Sequence, residues 1–204
     1  MKPKTRLRPA MILAEQLQKE LLIGCERCEI AGSVRRHVSH VSDIEFVIVT
    51  KRQKDLFGNP GLSQLEVVLN KLESERTLRR IAGGEKLRRY QLQYDHPEDQ
   101  PPKISQWGQY RINVELYIVP RANLGYQLAI RTGPAEVSQK MVTQRLKGGW
   151  LDDHCKCHEG RVLSVVAGGS EPLFLPEEKD FFELLSVNYC DPEQRSALLQ
   201  AGRR

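Results

Sequence analysis

Gly32-Ser33-Val34-Arg35-Arg36, with Asp43-Ile44-Glu45-Phe46-Val47-Ile48-Val49 starting seven residues after Arg36, is the stretch that decides how this chain is read. Past Glu45 the run is continuously apolar, the pattern of a strand buried on both faces. Two acids open it at positions i and i+2. Side chains two apart on a strand point the same way, about 6.5–7 Å from each other, so Asp43 and Glu45 share a face and Ile44 turns into the core. The Gly-Ser turn ahead of them suits an anion. Gly32 lets the backbone approach closely, and Ser33 supplies a hydroxyl and an amide donor. A helix starting at Val34 would aim its amide dipoles at phosphates, and Arg35 or Arg36 can add a bidentate contact. Taken alone, the same residues also describe an N-capping serine with two surface arginines.

Upstream, Met11, Ala14, Leu17, Leu21 and Leu22 recur at helical spacing over residues 10–24, and Gly24 closes the end. Glu29-Ile30-Ala31 reads as a short strand leading into the turn. Downstream, Lys51 to Gly61 contains Asn59-Pro60-Gly61 and reads as a loop. Leu62 to Arg80 returns to helical spacing through Leu65, Val68, Leu69 and Leu72, until Gly83-Gly84 breaks it. Leu87 to Tyr94 is a strand of mixed polarity, and Asp95 to Ser105 is a Pro- and Asp-rich loop. Ile112 to Val119 alternates: Ile112, Val114, Leu116 and Ile118 face one way, Asn113, Glu115 and Tyr117 the other. A second unit begins near Pro120. There, Thr132-Gly133-Pro134 opens a helix running to about Lys147, since proline suits the first helical position. Strand-like pieces follow at Trp150–His158 and Arg161–Val166. Pro176 then opens a last helix with Phe181, Leu184 and Leu185 on its apolar face.

Glu115 lies on the polar face of a strand with the same pattern as that of Asp43. If the two strands pair, their side chains come within about 5 Å across the ladder. Three converging carboxylates would repel one another and raise one another's pKa. Two Mg²⁺ ions roughly 3.5–4 Å apart would relieve that and make a phosphoryl-transfer site. Glu115 could also take the proton of an attacking hydroxyl.

The 204 residues allow one domain or two small ones. Forty per cent apolar residues suffice for an ordinary core, and no apolar run approaches the roughly 18 residues that would span a bilayer. The start, Met1-Lys2-Pro3-Lys4-Thr5-Arg6, is basic but leads into no signal-peptide pattern, so the expectation is a cytoplasmic protein. Thirty-one basic residues against 26 acidic give a net charge of +5, compatible with a polyanionic partner without demanding one. Five cysteines form no secreted framework and read as reduced thiols. His154-Cys155-Lys156-Cys157-His158 has zinc-ligand residue types, but neighbours on a strand point to opposite faces, so no zinc site is predicted from it.

The ordered set resembles DNA polymerase family X, the DNA polymerase beta group. That family carries a Gly-Ser-x-Arg-Arg turn, an acid pair and a third acid on a later strand. Here these correspond to Gly32 to Arg36, Asp43 with Glu45, and Val114-Glu115-Leu116. The thumb marker is similar to Ile130-Arg131-Thr132-Gly133-Pro134. The C-terminal signature is similar to Glu178-Lys179-Asp180-Phe181-Phe182 and Asn188-Tyr189-Cys190-Asp191-Pro192-Glu193-Gln194-Arg195. Two of the acids are Glu where Asp is usual, and Ile130-Arg131 replaces an aromatic pair.

The resemblance implies an α+β fold: a nucleotidyltransferase palm over residues 1–120, with a mixed sheet and helices on one side, then a small α+β thumb over residues 121–204. It implies a DNA-directed DNA polymerase filling short gaps in repair, with Asp43, Glu45 and Glu115 as catalytic and metal ligands for two Mg²⁺ ions, which Mn²⁺ can replace. Gly32, Ser33, Arg36, Thr132, Gly133, Ser138 and Lys140 would contact the nucleotide. Gapped or primer-template DNA and deoxynucleoside triphosphates are the implied partners, no membrane is involved, and a monomer is expected. Two other readings share the palm motifs: a nucleotidyltransferase with another acceptor (RNA, a protein hydroxyl or a small molecule), and a DNA-binding relative with a decayed site.

Overall fold

The computed structural model describes residues 4–54, 60–97 and 100–200. The chain is α+β and divides into two compact units, residues 1–30 with 37–118 and residues 31–36 with 119–204. The boundary expected at residue 120 falls at 118/119, and the Gly-Ser segment belongs to the second unit rather than to the first.

The elements run in chain order as β1 (Thr5–Arg6), α1 (Leu7–Leu22), β2 (Cys25–Ala31), α2 (Gly32–Arg35), β3 (His40–Val41), β4 (Asp43–Thr50), β5 (Arg52–Lys54), β6 (Pro60–Ser63), α3 (Gln64–Ser74), β7 (Leu78–Gly83), β8 (Leu87–Asp95), β9 (Lys103–Ile104) and β10 (Tyr110–Ile118). They continue with α4 (Leu124–Thr132), α5 (Ala135–Val142), β11 (Cys155–His158), β12 (Arg161–Val166), β13 (Gly169–Pro172) and α6 (Glu178–Leu184), and short 3₁₀ turns lie at Arg121–Asn123, Arg145–Lys147 and Pro192–Leu199.

The first unit is built on a mixed sheet of order β2-β4-β10-β8-β7, with β9 alongside β8. β10 is parallel to β4 and antiparallel to β8, and β7 is antiparallel to β8. Alternation sorts each strand into two faces. Ile44, Phe46, Ile48, Val114, Leu116, Tyr90 and Leu92 are completely buried. α1 buries an apolar stripe of Ala10, Leu13, Ala14, Leu17 and Leu21, and α3 one of Leu65, Val68, Leu69 and Leu72. Each fully buried aliphatic side chain contributes about 1.5–3 kcal/mol relative to exposure. The α1 stripe spaces its residues three and four apart, so Met11 and Leu22, read from sequence as part of it, sit about 100° off to the side, and Leu22 is 41% exposed.

Further first-unit readings change. The helix expected from Leu62 to Arg80 ends at Ser74, and Leu78–Gly83 is strand β7. β7 keeps only Leu78 buried, so it lacks the alternation by which strands are recognised. In the region read as a loop from Lys51 to Gly61, β5 and β6 pair antiparallel, and residues 55–59 lie outside the described residues.

The second unit packs α4, α5 and α6 with the antiparallel sheet β11-β12-β13. Its core holds Tyr126, Ala129, Val137, Met141, Leu151, Val162, Phe181 and Phe182, with the Tyr126 and Phe181 rings edge to face at 5.0 Å. The helix expected from Pro134 to Lys147 ends at Val142, with a 3₁₀ turn after it. Helix α4 has no counterpart in the sequence pattern. Leu124, Gly125, Tyr126, Gln127, Leu128, Ala129 and Thr132 are all buried, so it carries no polar stripe to betray a helical period. At α6, Asp180 accepts the Glu177 backbone N–H at 2.9 Å, one arm of a capping box.

Candidate active site

The acids are positioned by register. On the parallel pair, Asp43 lies beside Asn113 and Glu45 beside Glu115. In-register partners on neighbouring strands point to the same side, with strands about 4.8 Å apart, so Asp43, Glu45 and Glu115 share one sheet face, opposite Ile44, Val114 and Leu116. All three are half-buried. The face extends across β8, where Gln91 is opposite Asn113 and Arg89 opposite Glu115, and on to Arg79 of β7, opposite Gln91. Carboxylates thus occupy the β4–β10 side of this face, and amides and guanidinium groups the β8–β7 side.

Glu115 is held at both of its carboxylate oxygens. Its Oε1 accepts a hydrogen bond from Arg89 Nε at 2.9 Å, and its Oε2 accepts one from the Tyr117 hydroxyl at 2.5 Å. The carboxylate in turn raises the pKa of Arg89. Tyr117 was placed on this face by alternation alone. Arg89 was missed as a site residue, because only the β8–β10 register brings it opposite Glu115.

Three carboxylates on one face are a hard-oxygen donor set, the chemistry that Mg²⁺, Mn²⁺ and Ca²⁺ take. The residue types and their common face therefore fit a divalent cation. As the side chains stand they do not close around one: among the described residues no three His, Cys, Asp or Glu side chains gather as an ion site, and Glu115 is drawn sideways to Arg89 and Tyr117.

The Gly-Ser turn is built within the second unit. Gly32 is buried with φ +64°, a left-handed conformation that glycine adopts without penalty. Ser33 and Arg36 are half-buried. Helix α2 is a single turn, beginning at Gly32 rather than at Val34. Arg35 does not reach outward. It donates to the Thr132 hydroxyl at 2.7 Å and holds both oxygens of Glu178 at 2.9 Å. Arg195, wholly buried, meets the same carboxylate at 2.6 Å. Arg36 donates to the Thr132 carbonyl. Segments distant in sequence are thus joined through Arg35, Thr132, Glu178 and Arg195. In the sequence Glu178 and Arg195 stand only as parts of a C-terminal signature, which assigns them no role.

The remaining nucleotide-contact candidates have local partners. Thr132 is completely buried and Gly133 is buried with φ +63°. The Ser138 hydroxyl donates to the Ile130 and Pro134 carbonyls at 2.7 and 3.2 Å, and Lys140 Nζ to the Gly148 carbonyl at 2.7 Å. Of these, Lys140 is exposed.

The cysteines sit inside the two units. Cys25 and Cys28 are buried on β2, and burial pushes the Cys25 thiol up to about 12 and raises Cys28 as well. On β11, Cys155 is buried and Cys157 half-buried, while His154 and His158 are exposed. No helix among the described residues is long and apolar enough to cross a membrane. No family model matches the chain, and no curated protein matches it.

Proposed function

We propose that the chain is a nucleotidyltransferase, specifically a DNA-directed DNA polymerase of the family X type that extends a primer 3′-hydroxyl in short gaps. The observation that supports this most is the parallel register of β4 and β10, which sets Asp43, Glu45 and Glu115 on one half-buried face. Divalent ions held by these three carboxylates would lower the pKa of the attacking hydroxyl and neutralise charge on the triphosphate and on the leaving pyrophosphate. The protein's own task is positioning. Asp43 and Glu45, two apart on one strand, are fixed by the burial of Ile44 and Phe46 on its other side. Glu115 is the acid assigned to the attacking hydroxyl and to its proton. Gly32, Ser33 and Arg36 are assigned to the triphosphate, since a left-handed glycine and a guanidinium suit an anion. Arg35 is assigned a structural role, being already committed to Glu178 and Thr132.

The test is primer extension on gapped DNA with Mg²⁺ or Mn²⁺. The full chain should add deoxynucleotides, and Asp43→Ala should lower the rate by roughly a thousandfold, the scale of losing one charge-stabilising group, with unchanged far-UV circular dichroism. Transfer only to RNA, protein or a small molecule would move the reading to another acceptor. Binding of DNA without turnover, or an Asp43→Ala rate equal to wild type, would end it.

A further inference from the structure

We propose that Arg89 is a positioning residue that sets cation affinity: its guanidinium holds the Glu115 carboxylate, and a divalent ion gains Glu115 only by displacing it. This rests on the reading of Asp43, Glu45 and Glu115 as cation ligands. Arg89 stands directly across the β8–β10 ladder from Glu115, with Nε 2.9 Å from Oε1. Tyr117, 8% exposed, holds the other oxygen at 2.5 Å. Both carboxylate oxygens therefore have protein donors, and the carboxylate is turned along its own strand and toward β8.

Charge gives this arrangement its reason. Glu45 is the in-register neighbour of Glu115 on the parallel strand. Two carboxylates one strand spacing apart repel, and a cation between them or beside them relieves the repulsion. Arg89 supplies one positive charge from β8; a divalent ion supplies two. The guanidinium side chain is 51% exposed against 16% for Glu115. An ion pair with so much water around one partner is weak and easily exchanged. Tyr117 is a directional second hold on an anchored ring. The pair is thus positioned to orient Glu115 and exposed enough to yield to a divalent ion. Arg89 touches no reacting atom and acts through Glu115.

The experiment is a Mn²⁺ titration of the full chain at neutral pH, with free Mn²⁺ read by its electron paramagnetic resonance signal. No turnover is required. Arg89→Ala should bind Mn²⁺ about two- to fivefold more tightly than wild type, the release of one screened ion pair. Arg89→Lys, which keeps the charge, should return toward wild type, and Tyr117→Phe should tighten binding by itself. Arg79→Ala removes a positive charge from the same face two strands away from Glu115, and should change affinity less than Arg89→Ala. If Arg89→Ala binds no more tightly than Arg79→Ala while Asp43→Ala abolishes binding, the Arg89 proposal is overturned and the carboxylate reading stands. If wild type and Asp43→Ala behave alike, the carboxylate reading falls and this proposal with it.

Discussion

Arg88 is a charged side chain on the buried side of β8, between Tyr90 in its own strand and Glu66 of α3. Glu66 meets it with both carboxylate oxygens, one of them at 2.8 Å from Nη1. That hydrogen bond holds the Glu66 carboxyl below its ordinary range. A carboxyl whose folded pKa is depressed stabilises the fold above its unfolded pKa, and the stabilisation is lost as pH falls through the carboxylate range. Glu66→Gln should therefore melt below wild type at neutral pH, and the difference should narrow as the pH is lowered through about 4. Differential scanning calorimetry across that range checks it; a gap independent of pH would show that the ion pair contributes nothing. The strand carrying Arg88 reads from sequence as one of mixed polarity. Which polar residue would be buried was not legible, because that depends on a glutamate 22 residues earlier on another element. The site behaves alike. Local alternation assigns Asp43, Glu45, Asn113, Glu115 and Tyr117 to faces, whereas Arg89 enters only once β8 is laid in register.

Helices and strands with a one-sided apolar pattern were the readable elements. α1, β4, β8, β10 and α6 fall close to their expected positions because each buries one face, or nearly all of its length, in a way that repeats at 3.6 or 2 residues. Two elements that the sequence pattern does not reveal lack that contrast: α4 is buried nearly all round, and β7 is exposed along almost all of its length. α4 also makes a contact that no propensity scale contains. At Gly125 a Cβ would lie 2.0 Å from the Glu177 carbonyl oxygen, so the start of α4 runs against the chain entering α6 with no room for a side chain. Gly125→Ala should lower stability by about 3 kcal/mol, the upper part of the usual range for overpacking. Gly84→Ala is the matched control, since a Cβ there meets nothing within 4 Å, and its change should be near zero. Urea unfolding of the two variants decides; equal midpoints would refute the close approach.

At the scale of the molecule, the chain passes between its two units at 30/31, 36/37 and 118/119. The second unit is consequently made of two chain pieces, and the short one contributes Arg35 to Glu178, a carboxylate only 6% exposed. Arg35→Met should weaken that unit by about 1.5–3 kcal/mol, the range for hydrogen bonds to a charged group. Each unit holds one tryptophan, Trp107 and Trp150. In a Trp107→Phe background the Trp150 fluorescence transition should move to lower denaturant when Arg35 is replaced, and an unmoved midpoint would remove Arg35 from the unit's support. The amino-acid sequence by itself determined the α+β character, the helical stripes, the turn at Gly32-Ser33 and the face on which each acid lies, because those follow from periodicities of a few residues. Tertiary structure alone decided that Glu115 stands beside Glu45, that Arg89 answers it, and that residues 31–36 join the second unit. Those depend on pairing between strands and segments tens of residues apart, whose register is selected by burying all the apolar faces together and leaves no trace in any short window of sequence.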